Sequence, residues 1–488
     1  MAVCRRAALL TLLSSACLRR YVFLRDLHAV NPSAFFRLLS AHATELLPIV
    51  CACTVAALVR HEASRAFPSD TPTVGDASLQ YHTLPLAPQG MYVTSDDAGR
   101  VAEVVARWPG DAVRVCVLTD GERVLGLGDL GAGGLAISEG KILLYTVCVV
   151  SSCRRRCRSR ARSFGGVAPL ACLPLCLDVG TNNEALLRDA RYKGLRRKRL
   201  RGPPFDALVA ELVAALTSRW PGLLLQFEDF GQHNAFSLLS EFRPRLLCFN
   251  DDIEGTAAVC LSGLLSAHAA AGVAPTDATV LFLGAGEAGT GIAQLFALYL
   301  HTRHGVPIDA ARRRCVFVDS QGLVCASRAA ADPKLAHHKR PFAHDIPFAP
   351  TFEAAIVATR PTALVGVSGQ AGGFTRGSLD AFSRLGGRIV FPLSNPTSCA
   401  ECTAAEAAAA IGDRLLFASG SPFDPLVLPG GARLNPSQAN NALVFPGIGV
   451  GALAARATAL DDEAFLAAAV RVEQHRARSA CSDCSIIG

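Results

Sequence analysis

The residues of this 488-residue chain best suited to chemistry are acids at the ends of apolar runs. Glu228 and Asp229 close the run Leu223 to Phe227, and Asp252 follows the run Arg245 to Phe249. Such runs read as buried strands, and ligands of open α/β sheets collect at the carboxyl ends of strands. Carboxylate oxygens gathered there suit a hard divalent cation, Mg²⁺ or Mn²⁺, with positions left open for a substrate. The competing reading is helix capping or surface charge. A third run, Ala112 to Leu118, leads into Thr119, Asp120 and Gly121.

A second constellation is Gly284-Ala285-Gly286-Glu287-Ala288-Gly289, between an apolar run and a small-residue helix, Thr290 to Leu298. Gly284 permits a tight turn, Gly286 lets a pyrophosphate approach the backbone, and Gly289 lets helix and strand pack. The helix N-terminus faces the phosphates, and Glu287 and Ala288 of the turn join the glycines as candidate cofactor contacts. Asp319 ends the next run, farther along than the usual spacing of about twenty residues, and is expected to hold ribose hydroxyls. Ser320 beside it, and Lys339 and Arg340 downstream, suit a 2′-phosphate and favour NADP over NAD.

The elements that must position these residues fall into series. From Tyr21 to Val50 apolar residues recur at helical spacing, broken at Asn31, Pro32 and Ser33. Beyond Pro88 the pattern becomes strands separated by helices. A further set begins at Ala278, with runs Thr279 to Leu283, Cys315 to Val318, Ala363 to Val367, Arg388 to Leu393 and Leu415 to Ala418. The expected fold is α/β: a helical N-terminal segment, a mixed α/β substrate domain, and a doubly wound Rossmann-type NAD(P)-binding domain. The boundaries are residues 1–87, 88–250, 251–440, and 441–488 as a return to the substrate domain. Insertions at 51–70 and 147–162 interrupt this order.

Composition excludes several classes. Half the residues are apolar and 18% charged, a globular balance. The net charge of +7 owes six arginines to the acid-free segment Val147 to Arg162, and without them it is +1. The Lys193 to Arg201 cluster reads as a solvated helix face, and no aromatic interleaving points to nucleic acid. Eighteen scattered cysteines read as free thiols of a reducing compartment, and the two C-x-x-C pairs lack zinc-ribbon spacing. Arg5, Arg6 and the apolar run Ala7 to Ala16 form either a signal or transit segment or a packed helix. That run is too short to span a bilayer, and no other stretch reads as a membrane span.

Many separate segments, in order, resemble the malic enzyme family. They are Thr71-Pro72-Thr73-Val74-Gly75, Thr119-Asp120-Gly121-Glu122-Arg123, Gly126-Leu127-Gly128-Asp129-Leu130-Gly131, Asp178-Val179-Gly180-Thr181-Asn182-Asn183, Phe227-Glu228-Asp229-Phe230 and Phe249-Asn250-Asp251-Asp252-Ile253. Ser394-Asn395-Pro396-Thr397, Gly420-Ser421-Pro422-Phe423 and Gln438-Ala439-Asn440-Asn441 continue the match, which runs from about Leu18 to Val470. The resemblance implies an NADP-linked malate dehydrogenase of the oxaloacetate-decarboxylating kind, taking L-malate to pyruvate and CO₂, intracellular and a homodimer or homotetramer. It implies no nucleic-acid or membrane partner, with cytoplasm as the location, or mitochondrion or plastid if the N-terminus is a transit segment.

By that resemblance Lys141 matches the catalytic lysine and Asp251 the carboxylate beside it. Arg123 matches the clamp on a malate carboxylate, and Asn395 and Asn441 match substrate-binding amides, with Asn395 also at the cofactor. One position departs from the family. The family places a tyrosine before Thr-Pro-Thr-Val-Gly, and Asp70 stands there instead. An aspartate of ordinary pKa is ionised near neutrality and is no equivalent proton donor. The rival readings are therefore a catalytically impaired nucleotide- and metal-binding homologue, favoured by Asp70 and the insertions, and another NAD(P)-linked dehydrogenase, against which the carboxylate set argues.

Overall fold

Short β-branched and leucine-rich runs, flanked by polar residues, become strands buried on both faces, as a parallel sheet covered by helices requires. The computed structural model describes residues 23, 24, 27, 72–84, 87–124, 127–147, 167–395 and 397–477. Asp70, the insertion 51–70, nearly all of the insertion 147–162 and most of the expected N-terminal helices lie outside the described residues. Phe23, Leu24 and Leu27 are helical.

The chain forms two compact units. One takes in the described residues up to Asp251 together with Phe445–Leu460, and the other takes in Asp252–Val444 and the described residues from Asp461 onward. The excursion back into the first unit is thus shorter than the expected 441–488. Helix α5 (Asp462–Ala477) instead packs on helix α3 (Thr256–Ala271) of the second unit. Asn441 hydrogen-bonds Thr256, also in that unit.

In the first unit, β1 (Met91–Thr94), β2 (Val115–Thr119), β3 (Cys172–Asp178), β4 (Leu224–Glu228) and β5 (Cys248–Asn250) pair in the order β1-β3-β2-β4-β5, all parallel. The three expected strands are β2, β4 and β5. β1 and β3 were not singled out from the sequence. The chain winds from β2 to β3 on one side and then crosses back to β4, so the topological switch point lies between β2 and β4, where open sheets bind ligands. Helix α1 (Leu135–Val147) packs on β2 and β3, and helix α2 (Pro203–Arg219) leads into β4.

In the second unit the order is β12-β11-β10-β9-β6-β7-β8, with β6 (Val280–Leu283), β7 (Cys315–Asp319), β8 (Gly322–Leu323), β9 (Ala363–Gly366), β10 (Ile389–Pro392), β11 (Leu416–Ser419) and β12 (Ser437–Gln438). All neighbours are parallel except β7 and β8. The switch point falls between β6 and β9. One face buries Leu281, Val316, Leu364, Phe382 and Val390 in a common core. Among the described residues, Asp251–Ala271 alone is long and apolar enough to cross a membrane, and most of it is buried as a core helix.

Candidate active site

Strand register brings the first set of residues together. Thr119 pairs with Glu228 and Phe227 with Asn250, so β2, β4 and β5 end at nearly one level, and Asp120, Asp229 and Asp251 follow there. Helix α1 enters close beside them: a Cβ on Gly134 would stand 2.6 Å from the Gly121 Cα, so only glycine allows the approach. This carries Lys141 over the strand ends. Its ammonium is buried, hydrogen-bonded to Asp251 Oδ2 and 2.9 Å from Glu228 Oε1, and lies 4.6 Å from the centre of the Phe445 ring. A buried ammonium needs such partners, because an unpaired one is costly to desolvate.

Glu228, Asp229 and Asp252 each offer a carboxylate oxygen within 4.8 Å of the others. Asp252 opens the second unit but is bonded to Asp251, so its place follows from the end of β5. Asp229 has a left-handed backbone, φ 54°, unusual for a non-glycine residue. Its carbonyl accepts the Arg123 N–H at 3.1 Å. Three carboxylates so close repel one another, and hard oxygen donors in this number fit a divalent cation. Arg123 itself is exposed, and its guanidinium has no protein partner among the described residues.

The basic cluster Lys193 to Arg201 is not a helix face. The chain there is irregular between the helices Glu184–Arg188 and α2. Arg197 and Lys198 pair with Asp96 and Glu184 at the surface, while Arg199 turns inward with its side chain fully buried. It donates to both oxygens of Asp129, at 2.7 and 2.8 Å, and to the Asp120 carbonyl at 2.9 Å. It braces the loop that carries Arg123. Periodicity missed it because only tertiary structure says which arginine of a run is enclosed. Burial pushes the Asp120 carboxyl up to about 7, against the pull of Arg199.

In the second unit Gly284 has φ 103°, and a Cβ there would meet the Val367 carbonyl oxygen at 2.7 Å. Glycine is thus required where the turn after β6 touches the end of β9. A Cβ on Gly289 would lie 3.0 Å from the Gly284 oxygen and 3.3 Å from Phe317, so this glycine lets helix α4 (Glu287–His304) sit on the sheet. Gly286 is the residue before that helix, and Glu287 and Ala288 open it, leaving first-turn N–H groups directed out of the helix end.

Asp319 is not free to hold ribose hydroxyls as expected. β7 and β8 form a tight hairpin through Ser320 and Gln321 that brings Arg328 back onto Asp319. Asp319 Oδ1 accepts from Gln321 N at 2.9 Å and Arg328 Nη1 at 2.7 Å, and Oδ2 from Arg328 Nη2 at 2.9 Å and Lys339 Nζ at 2.7 Å. Four bonds fill the lone pairs of a carboxylate. Although burial opposes it, these partners hold the Asp319 carboxyl low, at about 2. One acid faces two cations, leaving a net positive edge beside exposed Ser320. Arg340 takes no part: it donates to the carbonyls of Asp332 and Pro333. Arg328 is the residue the sequence reading missed.

Asn395 follows β10 and is exposed, its Oδ1 accepting from the Ser421 hydroxyl at 2.6 Å. That bond leaves the Asn395 amide N–H groups pointing elsewhere. Glu401, fully buried, ties the ends of β9 and β10 together, accepting from Ser368 N and Oγ, both at 2.8 Å, and from Ser394 Oγ at 2.5 Å.

Sequence comparison decides the family. Residues 68–153 and 161–243 match the family profile "Malic enzyme, N-terminal domain", and residues 253–487 match "Malic enzyme, NAD binding domain". An NADP-dependent malic enzyme 3 of Arabidopsis thaliana is 42% identical over 453 residues, covering 92% of this chain and 70% of that protein. The chain belongs to the malic enzyme family. An NADP-dependent malic enzyme of Mus musculus is 41% identical over 457 residues, covering 93% of this chain and 73% of its own length. The fold is shared with a crystal structure of Entamoeba histolytica malic enzyme, at TM-score 0.56 and 22% identity, covering 95% of this chain and 82% of that one. Among malic enzyme relatives some are chloroplastic, as in Flaveria pringlei. The NAD-binding profile runs past Val470 to residue 487, so the expected end of the resemblance at Val470 is set too early. The N-terminal profile is interrupted at residues 154–160, within the arginine-rich stretch.

Proposed function

We propose that this malic enzyme homologue oxidatively decarboxylates L-malate to pyruvate and CO₂ with reduction of NADP, using Mg²⁺ or Mn²⁺. The observation that carries the reading is Lys141, buried between Asp251 and Glu228, beside a three-carboxylate cluster at a sheet's switch point. Glu228, Asp229 and Asp252 would hold the cation. The turn Gly284 to Gly289 would hold the dinucleotide, with Arg328 and Lys339 at the 2′-phosphate. When bound, the dinucleotide supplies a hydride acceptor and the cation a Lewis acid that polarises the substrate oxygens.

The chain's own groups do the rest. Once its ammonium has passed a proton to the Asp251 carboxylate it is hydrogen-bonded to, Lys141 as the free amine takes the proton from the 2-hydroxyl while hydride leaves C2 for the dinucleotide, producing oxaloacetate. Arg123, exposed at the end of β2, clamps a carboxylate with its planar donor fork. Asn395 and Asn441 orient the substrate by amide hydrogen bonds. Loss of the β-carboxylate as CO₂ leaves enolpyruvate, which needs a proton at C3. Asp70 stands where the family carries its tyrosine, and this favours a second reading, an enzyme impaired at that last step. The family resemblance also supports a homodimer or homotetramer. The free, mostly buried cysteines among the described residues support an intracellular, reducing location, in cytoplasm or an organelle.

The test is malate-dependent NADPH formation by the purified chain with Mn²⁺. Slow NADPH formation would support the reading impaired at the last step, binding of NADP and Mn²⁺ without any NADPH would leave a non-catalytic homologue, and absence of both bindings would reject the assignment.

A further inference from the structure

Gln226 lies in the middle of a central strand with no exposure, and Tyr145 lies in helix α1 with none either. Neither has a part in the reaction described above. A buried amide and a buried phenol are costly unless their polar atoms are paired, and here they are paired with each other. The Tyr145 hydroxyl donates to Gln226 Oε1 at 2.6 Å, and Gln226 Nε2 donates to Glu228 Oε2 at 2.8 Å. Glu228 Oε1 in turn faces Lys141 Nζ at 2.9 Å.

The four residues form a grid set by two periods. Lys141 and Tyr145 are four apart on one helix face, a rise of about 6 Å, and Gln226 and Glu228 are two apart on one strand face, a rise of about 6.6 Å. The spacings match, so Lys141 meets Glu228 as Tyr145 meets Gln226. A carboxylate only accepts hydrogen bonds, which fixes the amide with Nε2 toward Glu228, and Oε1 then takes the tyrosine proton. Burial, reinforced by the charge of Asp251, pushes the Tyr145 phenol far up, so it remains a donor. The chain of bonds ends inside the protein and passes through an amide, so it anchors rather than conducts protons.

We propose that Gln226 is a positioning residue that holds the Glu228 carboxylate in the orientation needed to bind a divalent cation, with Tyr145 locking the Gln226 amide. This rests on the reading of Glu228 as a cation ligand. Outer partners of a ligand fix its direction, and losing one typically lowers metal affinity about 10- to 100-fold.

The test titrates Mn²⁺ against the full chain, following free Mn²⁺ by electron paramagnetic resonance, for native protein, Gln226→Met and Tyr145→Phe. Gln226→Met keeps the length of the side chain and removes its N–H donor. It should bind Mn²⁺ about 10- to 100-fold more weakly while NADPH binding, followed by fluorescence, is unchanged. The Mn²⁺ needed for half-maximal turnover should rise in step, with kcat at saturating Mn²⁺ falling far less. Native affinity in Gln226→Met would overturn the proposal alone, whereas failure of the native chain to bind Mn²⁺ would overturn the metal reading beneath it. If Gln226→Met loses cooperative melting, Tyr145→Phe decides: weakened Mn²⁺ binding supports the anchor, and native affinity refutes it.

Discussion

Replacing Lys339 with alanine should reverse much of the cofactor preference, because it acts on both cofactors in opposite senses. Lys339 Nζ lies 2.7 Å from Asp319 Oδ2, with its side chain mostly buried. For NADP the change removes a cation beside the 2′-phosphate, and a charge-assisted hydrogen bond is worth about 1.5–3 kcal/mol. For NAD it frees a lone pair on Asp319, which can then accept a ribose hydroxyl in a bond worth about 0.5–1.5 kcal/mol. Together these are about 2–4.5 kcal/mol, a fall of about 30-fold to somewhat over 1000-fold in the NADP to NAD ratio. The assay is kcat/KM for each cofactor at saturating malate and Mn²⁺. Arg340→Ala is the control and should change little, since Arg340 is turned toward Asp332 and Pro333. A ratio moved by less than about threefold in Lys339→Ala, under 1 kcal/mol, would refute the argument.

Asp252→Ala should abolish Mn²⁺ binding measured by calorimetry, and unchanged affinity would remove it from the ligand set. Lys141→Met should lower kcat by about 10²- to 10⁴-fold while Mn²⁺ still binds, and a near-native kcat would exclude it as the base. Asp120, raised by burial to about 7, keeps its proton in the native state after the unfolded chain has lost it. Its contribution to stability is therefore full below about pH 4 and is lost as pH rises through about 7. Thermal melts across that range should show this decline in the native chain and a shallower one in Asp120→Asn. Equal slopes would contradict the assigned titration. Deleting residues 51–69 and changing Asp70 to Tyr should speed turnover about 10²- to 10⁴-fold if protonation limits the native chain, and no gain would place the limit elsewhere.

Local pattern was enough for much of this protein. The runs that became β2, β4 to β7 and β9 to β11 are apolar because a strand covered on both faces must be, and the convergence of Glu228, Asp229 and Asp252 beyond β4 and β5 could be anticipated from where those runs end. The glycines at 284 and 289 were legible because backbone approach leaves no alternative residue, whereas Lys141 was reached only through the resemblance to the malic enzyme family. The Asp319 hairpin was not legible in the same way: a two-residue reversal brings Arg328 onto the carboxylate, which a local reading left open for ribose hydroxyls. Arg199 was hidden in a run of basic residues whose neighbours stay at the surface. Gln226 and Tyr145, far apart in the chain, carry no motif of their own. What the sequence alone determined was the type of most elements and which polar residues stand at their ends, because these follow from periods of two and 3.6 residues within a short window. Which side chain saturates which was decided only when parallel strands took their register and a helix lay across them, since those partners are set by long-range packing that no local window contains.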